Sequence, residues 1–278
     1  MTCEVRSRYV PTISLSSALL TLSGLTMARP SKLTEHLLQL NVTGFTNATQ
    51  HRWLRLIGQG RLSKDAQLQW LLQDRMYAMS YVPFIGSLLA KVHLSNTNKR
   101  TKTTQWAIAD MLIGALVNIK RELEMFEVTL EQHYSWSRWD DVETRLVPAT
   151  VAYQNLMAAA TSPSSDLLAG LTLLWAMEKC YLEAWRFTKS QGPEDNASEG
   201  NGDVVRDVLI PNWTSPEFVA FVDDIGQLLD RWYSRSEATS ESTKRCEDVW
   251  QQVLHCETQF WPKVGAEGQV EGTGTTGT

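Results

Sequence analysis

Cysteine is scarce in this chain. The 278 residues include four cysteines at irregular spacing, Cys3, Cys180, Cys246 and Cys256. Small disulfide-stabilised domains need a denser set of cysteines, and thiolate zinc sites need closely paired ones. The sequence therefore predicts neither arrangement, and we expect reduced, mostly buried thiols.

Histidine also lacks the spacing of a metal centre. None of the five histidines has an acidic residue three positions before it, so the Glu-x-x-His repeat that holds two metal ions in helical bundles is missing. Phosphate-binding loops and dinucleotide fingerprints are missing as well. We expect no metal ion and no cofactor.

Excess positive charge and long apolar runs are two further features that the chain lacks. Lysine and arginine number 26 against 31 acidic residues, a formal net charge of -5, so the sequence has no basic footprint for nucleic acid. No run of 18 or more apolar residues occurs, so no membrane span is expected. A composition that is 43% hydrophobic does supply a substantial core. A globular, cytoplasmic protein is the simplest expectation.

The ends of the chain and one internal segment differ in composition from the rest. Residues 1–28 combine early arginines with a Ser/Thr/Leu-rich run, so we expect a disordered or targeting-like extension, with a mitochondrial location as the alternative if it is a transit peptide. Residues 190–203 are rich in Gly, Asn and acid and predict a mobile loop. Residues 265–278 have almost nothing to bury and predict disorder. One helical domain over 29–264 is the simplest architecture between them.

Helical periodicity dominates that domain. Apolar residues recur at intervals of three and four, and strand-like alternation is almost absent, so we predict an all-α fold. Ser63 and Ser215 are placed to cap two of the helices, the second with proline and an acid in its first turn. The predicted helices cover residues 31–40, 48–58, 64–93, 102–133, 148–161, 165–189, 215–235 and 240–263.

Three of these helices carry an acidic residue within their apolar face. Glu257 lies in VLHCETQFW, Asp74 lies among the aromatics of 64–93, and Glu178 interrupts the apolar stripe of 165–189. An unpaired buried carboxylate costs several kcal/mol, roughly, and neighbouring carboxylates raise one another's proton affinity. A buried network with Arg, Lys, Tyr or backbone donors would explain any single acid. Three such acids together favour a pocket.

The residue types around these acids indicate a class of ligand. Tyrosine and tryptophan stack on flat rings, and a carboxylate accepts paired hydrogen bonds from an amidine-like edge, as in a protonated aminopyrimidine. If one acid is protonated while another is ionised, the pair could also donate and remove protons during a hydrolysis.

Four segments carry a resemblance to a known family. The segments WLLQDRMY (70–77), VPATVAYQNLM (147–157), NWTSPEF (212–218) and CETQFW (256–261) resemble the TenA (thiaminase II) family in sequence and in order. The similarity covers most of residues 45–264. It implies the heme oxygenase-like all-α fold, a pocket inside the bundle and thiamin-derived aminopyrimidine substrates. A homo-oligomer is compatible with it.

The resemblance also implies site residues. Asp74 resembles the family's pyrimidine-binding carboxylate, and Tyr77 its aromatic neighbour. Glu257 resembles the acid that transfers protons, although Cys256 replaces the tyrosine that precedes it in the family. Trp213 stands where cysteine-bearing members have tyrosine and would keep an aromatic wall. Tyr153 either reaches the pocket or packs at the edge of the core.

The largest departure from the family concerns the nucleophile. Cysteine-bearing members have Pro-Cys on the helix that here reads GLTLLWAMEKCYLEAW, and Cys180 lies several residues too late. The WAMEKCY pattern instead resembles the subgroup that lacks this cysteine and carries a glutamate. The resemblance therefore implies that Glu178 activates water and shares proton transfer with Glu257 while Asp74 anchors the ring.

The expected function is thus hydrolysis of a thiamin-derived aminopyrimidine, by deamination or deformylation, in thiamin salvage. Two alternatives stay open at this point. One is a non-catalytic or repurposed protein that binds a small heterocycle. The other is a cofactor-independent biosynthetic enzyme, because a fold does not fix its chemistry.

Overall fold

The computed structural model describes residues 30–96, 103–137, 145–192, 203–236 and 239–265, and all regular secondary structure in these ranges is helical. The all-α prediction is therefore confirmed. The predicted extension 1–28 lies outside the described residues, as do residues 193–202 of the predicted loop and the tail from residue 266 onward. Within the described part of the chain, no helix has the length and apolarity needed to cross a membrane.

Ten α-helices and one π-helical turn make up this part of the chain. In order they are α1 (Leu33–Leu40), α2 (Val42–Thr49), α3 (Arg52–Gly58), α4 (Lys64–Ala90), α5 (Thr104–Tyr134), α6 (Pro148–Thr161), α7 (Leu167–Ser190), the π-helical turn (Val205–Leu209), α8 (Ile210–Thr214), α9 (Pro216–Arg235) and α10 (Ser240–Phe260).

Side-chain caps fix where several of these helices begin. The Ser63 hydroxyl accepts a hydrogen bond from the Ala66 amide at 3.1 Å, and the Ser215 hydroxyl accepts one from the Phe218 amide at 3.1 Å. Both bonds satisfy amide groups that a first helical turn leaves without partners. The predicted caps of α4 and α9 are thereby confirmed.

Helix α7 runs through the centre of the molecule. Every residue from Leu167 to Met177 is buried, and the helix contacts α2, α3, α6, α8, α9 and α10. A helix that is apolar on all sides must be surrounded by other elements. Glu178 directly follows this buried run and is itself partly buried.

Two parts of the helix prediction were wrong. The predicted helix 48–58 is interrupted, because its first two residues belong to the end of α2 and α3 begins only at Arg52. Helical residues at 42–47 and 205–214 were not predicted. The α2 sequence VTGFTNAT has low helix propensity, so its stability comes from outside the helix. The Asn41 side chain caps it by accepting a hydrogen bond of 2.7 Å from the Gly44 amide, and Ala48 is fully buried.

Candidate active site

A small cavity lies inside the bundle between α4, α5, α7 and α8. The cavity volume, counted as the space that the centres of water molecules can occupy, is about 30 Å³. This is enough for roughly two water molecules. A ring-shaped ligand therefore needs its lining side chains to move apart. The lining residues are Asp74, Tyr77, Ala78, Tyr81, Ile119, Glu122, Phe126, Met177, Glu178, Tyr181 and Trp213.

Asp74 enters this cavity from α4 and is almost completely buried. Its Oδ2 accepts a hydrogen bond of 2.5 Å from the Tyr181 hydroxyl. Burial raises the pKa of Asp74 well above its ordinary value, and the charges of Glu122 and Glu257 raise it further, although the Tyr181 bond opposes them. The structure thus places Asp74 and Tyr77 together in the cavity lining, both on α4.

Glu178 lines the cavity from α7. Its Oε1 accepts a hydrogen bond of 2.5 Å from the Tyr81 hydroxyl. Burial raises the pKa of Glu178 to about 8, against the effect of the Tyr81 bond. A carboxyl group with a pKa near neutrality is suited to proton transfer, because both of its protonation states are populated at working pH.

Glu257 lies behind the cavity wall and does not border the free space. It is buried on α10, and its Oε1 accepts a hydrogen bond of 2.5 Å from the Tyr153 hydroxyl, while Oε2 is buried without a hydrogen-bond partner. Burial raises its pKa to about 8. Tyr77 borders the cavity and packs edge-on against the Tyr153 ring at 5.0 Å. The Tyr77 ring therefore lies between the Glu257–Tyr153 pair and the cavity.

A fourth acid, Glu122, was not singled out in the sequence. It lines the cavity from α5, and its Oε1 accepts a hydrogen bond of 2.5 Å from the Trp213 indole Nε1. Burial raises its pKa to about 7. Ile119 and Phe126, three residues before it and four after it, line the same cavity. The signal that marked the other acids, a carboxylate within an apolar stripe, was therefore present here too.

None of these four acids forms an ion pair within the described ranges, although the charge of Arg121 lowers the pKa of Glu122. The ion pairs found there involve other carboxylates, and the four acids are held by tyrosine hydroxyls and one indole. The described residues also contain no group of three or more His, Cys, Asp or Glu side chains that could hold a metal ion. The site therefore favours protons or a positively charged ligand.

Aromatic rings form much of the remaining wall and of the layer behind it. The Trp213 ring stacks on Trp185 at 4.6 Å with an interplanar angle of 27°, and Tyr181 meets Trp213 edge-on at 5.2 Å. The Trp70 ring stacks on Trp261 at 5.8 Å behind them. Such large buried rings hold one another in place and offer flat faces to a ligand ring. Of these four tryptophans, Trp213 is the one among the described lining residues of the cavity.

No cysteine is among the described residues that line the cavity, so no thiol nucleophile faces it. Cys180 is fully buried, and burial raises the pKa of its thiol well above the ordinary value, which keeps it protonated and unreactive. Cys256 lines a separate surface groove between α6 and α10, where burial raises its pKa to about 11.

Known proteins match this chain over most of its length. The sequence profile of the TENA/THI-4/PQQC family matches residues 41–266. A solved structure of a TenA homologue from Pyrococcus furiosus superposes with a TM-score of 0.66 at 22% identity, over 82% of this chain and 98% of that one. At this identity the superposition establishes the fold, and the expected heme oxygenase-like fold is confirmed.

Two curated relatives span most of the chain. A Fusarium pseudograminearum protein described as a probable transcription factor is 28% identical, over 84% of this chain and 52% of its own length. A Glycine max protein described as a probable bifunctional TENA-E protein is 22% identical, over 82% of this chain and 91% of its own length. The chain thus spans about half of the fungal relative and nearly all of the matched plant relative.

Proposed function

The chain belongs to the TENA/THI-4/PQQC family, and from this premise we propose that it hydrolyses thiamin-derived aminopyrimidines by carboxylate general acid and base catalysis. One observation carries the proposal: Asp74, Glu122 and Glu178 surround a single aromatic-walled cavity and form no ion pair with a described cation. A flat, protonatable nitrogen heterocycle complements such a site in shape and in charge.

The cavity residues have different roles in binding. Asp74 anchors the ring, because an ionised carboxylate accepts hydrogen bonds from ring and exocyclic N–H groups. Tyr77 and Trp213 enclose the ring between their faces, and Tyr153 supports Tyr77 from behind. Entry of a cationic ring lowers the pKa values that burial has raised, since an opposite charge stabilises the ionised carboxylate.

Glu178 and Glu257 move the protons. Glu178 borders the cavity and takes a proton from water, and the oxygen of that water bonds to the substrate carbon as the carbon–nitrogen bond breaks. The departing nitrogen leaves as ammonia, or as an amine with formate when a formyl group is the one removed. Glu257 supplies or accepts protons through the Tyr153 hydroxyl, which donates it a hydrogen bond of 2.5 Å. Tyr77 contacts Tyr153 through its ring and donates its own hydroxyl to Met177 Sδ, so a water molecule that enters when the ligand moves Tyr77 completes this path to the cavity.

The plant relative's description as a TENA-E protein supports an enzyme of this kind. A second candidate function is binding of a small heterocycle without turnover. The fungal relative's description as a probable transcription factor favours that alternative.

A substrate panel separates the two functions. Purified protein is incubated with thiamin, an aminopyrimidine bearing an amino side chain and its formylamino derivative, and ammonia and formate are measured alongside binding. We expect release of ammonia or formate with multiple turnovers. Tight binding without either product would contradict the hydrolase and support the binding protein.

A further inference from the structure

Glu122 has no assigned step in the hydrolysis proposed above, although it lines the cavity together with Asp74 and Glu178. It comes from α5, whereas Asp74 comes from α4 and Glu178 from α7. A ligand in the cavity would therefore meet Glu122 from a direction that the other two carboxyl groups do not cover.

Two consecutive contacts fasten α8 to α5 at this place. Arg121 donates a hydrogen bond of 3.3 Å from Nη2 to Asn212 Oδ1 on the outer side, where both residues line a surface groove. Their chain neighbours, Glu122 and Trp213, form their bond of 2.5 Å on the cavity side. Because the outer contact and the stacking of Trp213 on Trp185 hold α8 independently, the inner bond can be exchanged while α8 stays in place.

The present partner of Glu122 is a weak match for an ionised carboxylate. An indole N–H is a neutral donor, and the described lining of the cavity contains no lysine, arginine or histidine. The charge of Arg121 lowers the pKa of Glu122, but Arg121 lies outside this lining. Hydrogen bonds between a cationic donor and a carboxylate are roughly twice as strong as those between neutral groups. A ligand ammonium group would therefore displace the Trp213 indole from Glu122.

We propose that Glu122 binds a protonated amino group of the ligand, in exchange for its bond with Trp213, and so selects pyrimidines with an amino side chain over their hydroxyl counterparts. The identity of the ring rests on the proposed function. Deamination replaces the amino group by a hydroxyl group, so this contact favours binding of the substrate and is lost in the product, which then dissociates more easily. Glu122 is then a specificity-determining residue of the site.

Calorimetric titration with two matched ligands tests this role. The ligands are a pyrimidine with an aminomethyl side chain and the same ring with a hydroxymethyl side chain. In Glu122→Gln we expect affinity for the amine to fall on the order of ten- to a hundredfold, the range for one lost hydrogen bond to a charged group. Affinity for the hydroxymethyl ligand stays within about twofold, which also shows that the variant keeps its cavity intact.

Glu124→Gln is the matched control, because Glu124 is exposed on the same helix and pairs with Lys120 at the surface. It should bind both ligands as the unmodified protein does. Unchanged amine binding by Glu122→Gln, or equal loss for both ligands, would overturn the inference. So would an unmodified protein that does not prefer the amine. Selective amine binding without ammonia release would instead refute the hydrolase and leave the role of Glu122 standing.

Discussion

At the scale of single residues, the site pairs each buried acid with a neutral donor. Tyrosine hydroxyls donate a hydrogen bond of 2.5 Å to each of three acids. The pairs are Tyr181 with Asp74, Tyr81 with Glu178, and Tyr153 with Glu257. Such bonds compensate part of the cost of burial but add no opposite charge. The acids therefore stay ready to bind protons or a cation, and a merely structural network would not need that property.

Asp74→Asn tests the anchoring role. Asparagine keeps the side-chain volume and can still accept the Tyr181 hydrogen bond, but it cannot carry the charge that complements a protonated ring. We expect affinity for an aminopyrimidine to fall by about ten- to a hundredfold in calorimetric titration, with no loss of thermal stability. Asp110→Asn, at an exposed position of α5, should bind normally. Full affinity in Asp74→Asn would remove Asp74 from the site.

How far the sequence predicts individual site residues depends on what each side chain does. Asp74, Tyr77, Glu178 and Trp213 all line one cavity, because an acid within an apolar stripe, or an aromatic next to one, must point inward. Helical periodicity cannot tell the cavity from the layer behind it, so the position of Glu257 behind Tyr77 was not predictable. Glu122 carried the same signal as the others and was missed.

At the scale of helices, close packing limits what the chain tolerates. At Gly58, on α3, an added Cβ would lie 2.3 Å from the backbone oxygen of Thr188 on α7. A backbone atom cannot rotate away as a side chain can. This glycine therefore sets the distance between α3 and α7, the helix that carries Glu178.

Gly58→Ala should lower the free energy of unfolding by about 1–3 kcal/mol, the usual cost of overpacking. Gly86→Ala is the control, because Gly86 lies in α4 with open space around its added Cβ. Alanine has the higher helix propensity, so this variant should gain about 0.5–1 kcal/mol. Urea denaturation followed by circular dichroism measures both. Equal stability of the two variants would refute the close approach of α3 and α7.

The helices that were predicted and those that were missed differ in where their stability comes from. Helices such as α4 and α9 carry their own start signals in Ser63 and Ser215. The residues VRDVLIPNWT at 205–214 contain β-branched side chains and an internal proline, which disfavour an isolated helix. Their helical form depends on packing against the bundle, for example through the buried Leu209 and Trp213, and tertiary packing cannot be inferred from local propensity.

At the scale of the whole molecule, buried acids link stability to pH. Burial raises the pKa values of Glu178 and Glu257 from 4.5 to about 8. Between these values the folded state binds more protons than the unfolded state, so the free energy of unfolding falls as pH rises through this window. Below about pH 4.5 the two acids are protonated in both states and this contribution is complete.

We therefore expect the urea midpoint to fall between about pH 5 and pH 8, with up to about 1.4 kcal/mol per pH unit from each of these acids. Glu257→Gln removes one titrating group, so its urea midpoint should change less with pH than that of the unmodified protein. Glu124→Gln, which removes an exposed acid of α5, should leave the slope unchanged. A stability that rises over this range, or parallel slopes for the two variants, would show that Glu257 does not titrate as a buried acid.

The rate of ammonia release from an aminopyrimidine substrate, compared between the unmodified protein, Glu178→Gln and Cys180→Ala, tests the central claim most directly. Loss of a general acid or base typically costs a factor of about 10²–10⁴. We expect a loss of this size in Glu178→Gln, with its fold intact by circular dichroism, and nearly full activity in Cys180→Ala. Full hydrolysis by folded Glu178→Gln, or an inactive but folded Cys180→Ala, would contradict catalysis by carboxylates.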